Sequence, residues 1–170
     1  MKKFVALAIF AAMFLISACG AKTGGGGEDP GMTGYVVNID NGRILVVDEK
    51  SLDFSGTGGL KEFYAAVWFS GAPDHVEIGD KVAVWHGAVA ESYPGQSKVV
   101  RLEVLPPDKP EGADLAQDEA LRRALEARSF AGDAAVRSIR YDAAADIWRI
   151  ELRELLQGEQ AVTLEIDDRP

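Results

Sequence analysis

At 170 residues, with 47% apolar and 26% charged side chains, the chain has the length of one domain or two small ones and a globular composition. Its formal net charge of -9, from 18 basic and 27 acidic residues, repels phosphate backbones and anionic lipid, which argues against a nucleic-acid partner and favours solubility. A single cysteine, Cys19, excludes an intrachain disulfide and any cysteine-cluster metal site.

Lys2-Lys3 and the apolar run Phe4 to Ile16 have the form of a secretory signal, because a bilayer-spanning helix needs ~20 residues. The run closes on Ile16-Ser17-Ala18-Cys19-Gly20, which resembles the lipobox of bacterial lipoproteins. The resemblance implies a signal peptide over 1–18, cleavage before Cys19 and diacylglyceryl transfer to its thiol. The protein is then expected on the extracytoplasmic face of the cell membrane, lipid-anchored. Each buried methylene contributes about 0.8 kcal/mol, so two acyl chains hold firmly where one is marginal. Residues 19–31, with Gly24-Gly25-Gly26-Gly27 and Glu28-Asp29-Pro30-Gly31, have nothing to bury and predict a flexible stalk.

From residue 32 the pattern changes to short β-branched and aromatic runs. Tyr35 to Ile39 and Arg43 to Val47 flank Asp40-Asn41-Gly42, and Asn-Gly between two such runs predicts a type I′ hairpin. The second run is apolar on both faces, so a central position is expected. Ser51 to Leu60 is glycine-rich and aperiodic, a loop. Phe63 to Phe69 predicts a third strand, Val82 to Val89 a fourth entered through Ile78-Gly79-Asp80, and Val99 to Leu105 a fifth. Alternation in the fifth directs Val100, Leu102 and Val104 to the core. Five short strands across 32–105 predict a small OB-like Greek-key barrel.

Gly34-Tyr35-Val36, Gly42-Arg43-Ile44-Leu45-Val46-Val47, Gly79-Asp80-Lys81-Val82-Ala83-Val84-Trp85 and Glu91-Ser92-Tyr93-Pro94-Gly95-Gln96 together are similar to the YobA-like domain of unknown function. That domain occurs in lipoproteins and other exported proteins of Gram-positive bacteria. The resemblance spans about residues 34–105. It implies an OB-type barrel at the cell surface, and it carries over no catalytic residues.

Pro106, Pro107 and Pro110 make 106–113 a linker, since proline joins neither a ladder nor a helix interior. Residues 114–170 predict an α+β module that folds by itself, with one helix on a three-stranded antiparallel sheet. Asp114 and Gln117 have capping-box spacing. Leu121, Ala124, Leu125 and Arg128 share the helix's apolar face, with Leu115 off it and Gly132 ending the region. Ile139 and Tyr141, then Trp148, Ile150 and Leu152, then Val162, Leu164 and Ile166 are the inward positions, and Asp142 to Asp146 and Gln157-Gly158-Glu159 are the turns. The pattern loosely resembles the PepSY and cystatin-like modules of exported bacterial proteins.

Little in the chain suggests bond-making chemistry. His75, in the loop Pro73-Asp74-His75-Val76, reads as a solvated turn, and His86 as a packed or edge-exposed side chain. No nucleophile elbow, phosphate loop or zincin motif occurs, so no enzyme activity, cofactor or metal is expected. A ligand surface is expected instead at Trp85, Glu91, Ser92, Tyr93 and Gln96, with Tyr93 raised on a type II turn at Pro94-Gly95. The competing role for Trp85 and Tyr93 is to fill the barrel mouth. Two functions follow. One is a non-catalytic binding module for an envelope glycan, peptide or protein. The other is a regulator or inhibitor of an exported protease or envelope enzyme, acting through the C-terminal module.

Overall fold

The computed structural model describes residues 29–156 and 161–169. The signal peptide, Cys19, residues 19–28 of the stalk and the turn Gln157-Gly158-Glu159 lie outside the described residues.

Five strands build the first body: β1 (Met32–Asp40), β2 (Arg43–Leu52), β3 (Phe63–Ser70), β4 (Lys81–His86) and β5 (Gly95–Val104). They close into a barrel in the order β1-β2-β3-β5-β4, with β4 returning to β1. Every pairing is antiparallel except β3 with β5. This is the OB arrangement expected from the strand count. The β1–β2 turn is the anticipated one: Asp40 pairs with Arg43, and Asn41 and Gly42 have φ of 50° and 72°. A Cβ on Gly34 would lie 2.0 Å from the Val47 carbonyl oxygen, so only glycine lets β1 curl this tightly onto β2.

The second body is α1 (Gln117–Ala127) followed by β6 (Ala134–Asp142), β7 (Ile147–Glu154) and β8 (Ala161–Asp167), an antiparallel meander in the order β6-β7-β8. Of the inward positions predicted for the sheet, Trp148, Ile150 and Leu152 are buried and Ile139, Tyr141, Leu164 and Ile166 pack against the same core, while Val162, toward the start of β8, is only half-buried.

There are two apolar cores. The barrel interior is filled by Val36, Ile44, Val46, Val67, Phe69, Val82 and Val84 among others. The second core lies outside the barrel, where Val37, Leu45, Val47, Tyr64 and Ala66 meet Leu115, Leu121, Leu125, Trp148 and Ile150. β2 is therefore apolar on both faces because one lines the barrel and the other lies under the module. Gly79 completes the junction. Its φ is 99°, and a Cβ there would lie 2.3 Å from the Asp118 carbonyl oxygen of α1.

Several expectations need correction. Val100 is 73% exposed and Val104 is exposed, while Val99 and Leu102 pack inward. A bulge displaces Val100: Trp85 faces Arg101 but His86 faces Val99, so Val100 is extruded, whereas Val104 keeps the phase of Leu102 and is exposed as the last residue of β5. β4 stops at His86 rather than Val89, and β2 runs on to Leu52 into what had looked like loop. The helix begins without a side-chain cap, its N-cap being Ala116. Leu115, expected off the apolar face, is 1% exposed. It precedes the helix, so helical periodicity does not govern it. The Asp114 and Leu115 amides donate to the Asp168 carboxylate at 2.5 and 3.0 Å, and Trp148 Nε1 donates to it at 2.7 Å.

Candidate functional site: a cleft between barrel and module

OB barrels commonly bind along the outer face of their second and third strands. Here Leu45, Val47, Tyr64 and Ala66 of that face are buried beneath the module. The two bodies part beyond the end of β2 and the start of β3. A cleft of about 840 Å³ opens there, lined by Lys50, Lys61, Glu62, Tyr64, Arg137 and Arg153 among others.

Glu62 is its keystone. Its Oε1 accepts from Tyr64 Oη at 2.7 Å and faces Arg137 Nε at 3.0 Å; its Oε2 lies 3.3 Å from Arg153 Nη1. The same Arg153 nitrogen donates to the Glu62 carbonyl at 2.9 Å. Arg137 reaches this point because it is the bulged residue between Val136 and Ser138, which frees it from the sheet's alternation. It also bonds Glu151 at 2.9 Å. Burial and then the Glu62 hydrogen bond push the Tyr64 hydroxyl up to about 12, so it stays a donor at any physiological pH. Attraction to Glu62, then to Glu151, raises Arg137 further above the guanidinium range. Lys50 and Lys61 form no salt bridge among the described residues. With both arginines answered by glutamates, Lys50 and Lys61, the latter also in the field of Asp53, supply the cleft's remaining positive charge, an arrangement suited to holding an anion.

Two smaller hollows lie near the cleft's edge. One of about 10 Å³ shares Leu60 and Arg153 with it and is walled by Leu60, Phe63, Tyr93 and Leu155; one of about 190 Å³ shares Leu155 with the first and lies beside Pro94 and Leu156. Phe63 forms ring contacts with Phe54 and Tyr93 at 5.6 and 5.2 Å. The Tyr93 hydroxyl donates to the Tyr64 carbonyl at 2.8 Å while the residue stays 37% exposed. Tyr93 thus combines the two roles weighed for it, a ring packed at the barrel's end with an edge left open.

The five residues predicted as a ligand surface do not form one. Glu91, Ser92, Tyr93 and Gln96 share the β4–β5 turn and its exit, with the Ala90 amide donating to the Gln96 carbonyl and Ser92 Oγ to the Pro94 carbonyl. Trp85 lies apart on the outer barrel wall, opposite Arg101, whose guanidinium stacks 3.5 Å from its ring. The expected type II turn is absent: the Tyr93–Pro94 bond is cis and Gly95 is not at positive φ. Gly95 instead starts β5, and a Cβ on it would meet Val89 at 2.6 Å. His75 is exposed, and His86 packs on Phe69 with ring centroids 5.3 Å apart. Lys50, Lys61, Glu62, Arg137 and Arg153 escaped the sequence reading because each is a commonplace charge on a strand or loop. Only the docking of the module gathers them.

A closed five-strand OB-type barrel whose outer β2–β3 face is covered by an appended α+β module defines the class. Residues 33–106, the barrel, match the model of a family described as protein of unknown function (DUF3221). Among solved structures, the crystal structure of a YobA protein from Bacillus subtilis subsp. subtilis str. 168 is similar, at 25% identity and a TM-score of 0.32, covering 44% of this chain and 91% of that one. No curated protein matches.

Proposed function

We propose that the protein is a non-catalytic binding module, tethered outside the cytoplasm by a diacylglyceryl group on Cys19, that takes an envelope glycan, peptide or protein segment into the cleft between barrel and module. One observation carries this most: in a chain of net charge -9, Lys50, Lys61, Arg137 and Arg153 converge on a single opening of about 840 Å³. Neutralising an anion there gives both orientation and attraction. Tyr93 links the β4–β5 turn, with Glu91, Ser92 and Gln96, to the rim of that opening.

The test is capture of ligand from envelope extract by the intact protein, with glycans and peptidoglycan fragments as competitors. Lys61→Glu, at an exposed position, is expected to lower capture by about tenfold, equivalent to 1.4 kcal/mol, with an unchanged melting temperature. Equal capture by the variant contradicts the cleft. The tether has its own test: Cys19→Ala is expected to leave the membrane fraction, and unchanged fractionation refutes the lipid anchor.

A further inference from the structure

The sheet of the second body has an open edge. Among the described residues β8 pairs with β7 alone, in unbroken register, whereas β6 pairs with β7 across a bulge. In an antiparallel ladder, alternate residues of an edge strand bond the neighbouring strand and the rest turn their N–H and C=O outward. Two bonds beyond the ends of β7 fix which is which. The Asp168 amide donates to the Asp146 carbonyl at 3.3 Å, and on the other side the Leu155 amide donates to the Asp133 carbonyl at 2.9 Å. Counting inward by twos, Trp148, Ile150 and Leu152 bond Ile166, Leu164 and Val162, while the odd-numbered residues of β7 serve β6. The main-chain groups of Ala161, Thr163, Glu165 and Asp167 therefore face away from the sheet. Among the described residues none of them meets a hydrogen-bond partner.

Natural edges are blunted by proline, a bulge, charge or a covering element. Of these, Ala161-Val162-Thr163-Leu164-Glu165-Ile166-Asp167 carries only charge, and Thr163, Glu165 and Asp167 are exposed. Both charges are already engaged, Glu165 by Arg149 at 3.1 Å and Asp167 by the Arg169 guanidinium. On the core face Val162, Leu164 and Ile166 are only half-buried, since no strand flanks them on the open side.

We infer that β8 pairs with β8 of a second copy of this chain, antiparallel about a two-fold axis at Leu164, so that the two sheets become one. Outward groups must face outward groups, so odd-numbered residues oppose odd-numbered ones. With the axis at Leu164, Thr163 opposes Glu165 of the second copy and Ala161 opposes its Asp167, and the edges exchange about eight backbone hydrogen bonds. On the core face Leu164 meets Leu164 and Val162 meets Ile166, at the closer, non-hydrogen-bonded sites. Moving the axis toward the C-terminal end sets Glu165 against itself or against Asp167, where like charges repel. Moving it the other way leaves Asp167 outside and shortens the ladder. The strand is thus its own complement in one register, which favours a second copy over a segment of another protein.

Sedimentation velocity of the full-length protein in detergent, with micelles in large excess over chains, tests it. A reversible dimer with Kd on the order of 10 μM is expected, tightening with salt because each copy carries a net charge of -9. Thr163→Pro removes an outward N–H without touching the bonds to β7, and is expected to give a monomer with an unchanged melting temperature. Thr163→Glu, opposite Glu165 of the second copy, is expected to weaken the dimer about fivefold, and Thr163→Lys to tighten it about fivefold. These two charge variants keep the test decisive if the proline variant fails to fold. Val100→Glu, on the barrel wall, is expected to leave Kd unchanged. A monomer at every concentration up to about 100 μM overturns the pairing. So does a dimer indifferent to all three changes at Thr163. Protection of the 163, 165 and 167 amides from hydrogen exchange that appears only with envelope extract also overturns it, and marks the edge as a site for another protein.

Discussion

A carboxylate taken out of water is destabilised unless donors replace the lost hydration. Asp168 is fully buried, and burial by itself raises its pKa, but the bonds donated by the Asp114 and Leu115 amides and Trp148 Nε1 together hold it below the ordinary carboxylate value. Asp80, 9% exposed at the β3–β4 junction, goes the other way. Burial raises it, the Glu77 amide only partly offsets this, and Asp118 and Glu77 add repulsion. The signs predict opposite pH behaviour. The contribution of Asp168 to stability is fully present above its unfolded value near 4 and is lost as pH falls through its lower folded value. Asp80 disfavours the fold while charged, and that cost is relieved as pH falls through its raised folded value. Asp168→Ala, which strands three donors, is expected to lower stability by about 3 kcal/mol at pH 7 in denaturant unfolding. Asp80→Asn keeps an acceptor for the Glu77 amide and is expected to be neutral or stabilising at the same pH. A large loss from Asp80→Asn, or none from Asp168→Ala, contradicts these assignments.

At the level of elements, bulges decide where charges and apolar side chains point. The phase change at Val100 makes a plain prediction: Val100→Ser is expected to shift stability by no more than about 0.5 kcal/mol, whereas Leu102→Ser removes a side chain packed on the barrel core and costs more than about 1 kcal/mol. Reversal of that order in urea midpoints would restore the regular alternation. The same comparison shows what sequence reasoning reaches. Hairpin chemistry at Asn41-Gly42, two-sided apolarity in Arg43 to Val47 and the alternation of Trp148, Ile150 and Leu152 are local signals, and each element formed where they pointed. The extrusion of Val100 and of Arg137 and the burial of Leu115 were not legible, because each answers to a partner far along the chain. Asp114 illustrates the point: its neighbours suggested that it caps the helix, while its own amide is satisfied by Asp168, 54 residues later. The cleft failed for that reason too, since Glu62 meets Arg137 and Arg153 only through tertiary docking.

On the scale of the whole molecule, the module is a second wall of the barrel's outer core. Leu45 is fully buried between the two bodies. Leu45→Ala is expected to cost about 2–5 kcal/mol and to move one shared thermal transition. Residues 113–170 by themselves leave Leu115, Leu121 and Trp148 without the barrel's half of their core, and are expected to lack a cooperative melt. Two separate transitions in calorimetry of the intact chain would argue for independent bodies. The same docking covers the face an OB barrel customarily offers and builds the cationic cleft at its edge, so architecture and proposed binding stand together. The most direct measurement is site-specific photo-crosslinking in intact cells, with the crosslinker at Lys61 in the cleft or at Trp85 on the far wall. The account predicts an envelope adduct from position 61 and none from position 85. An adduct from position 85 with none from position 61 would contradict it.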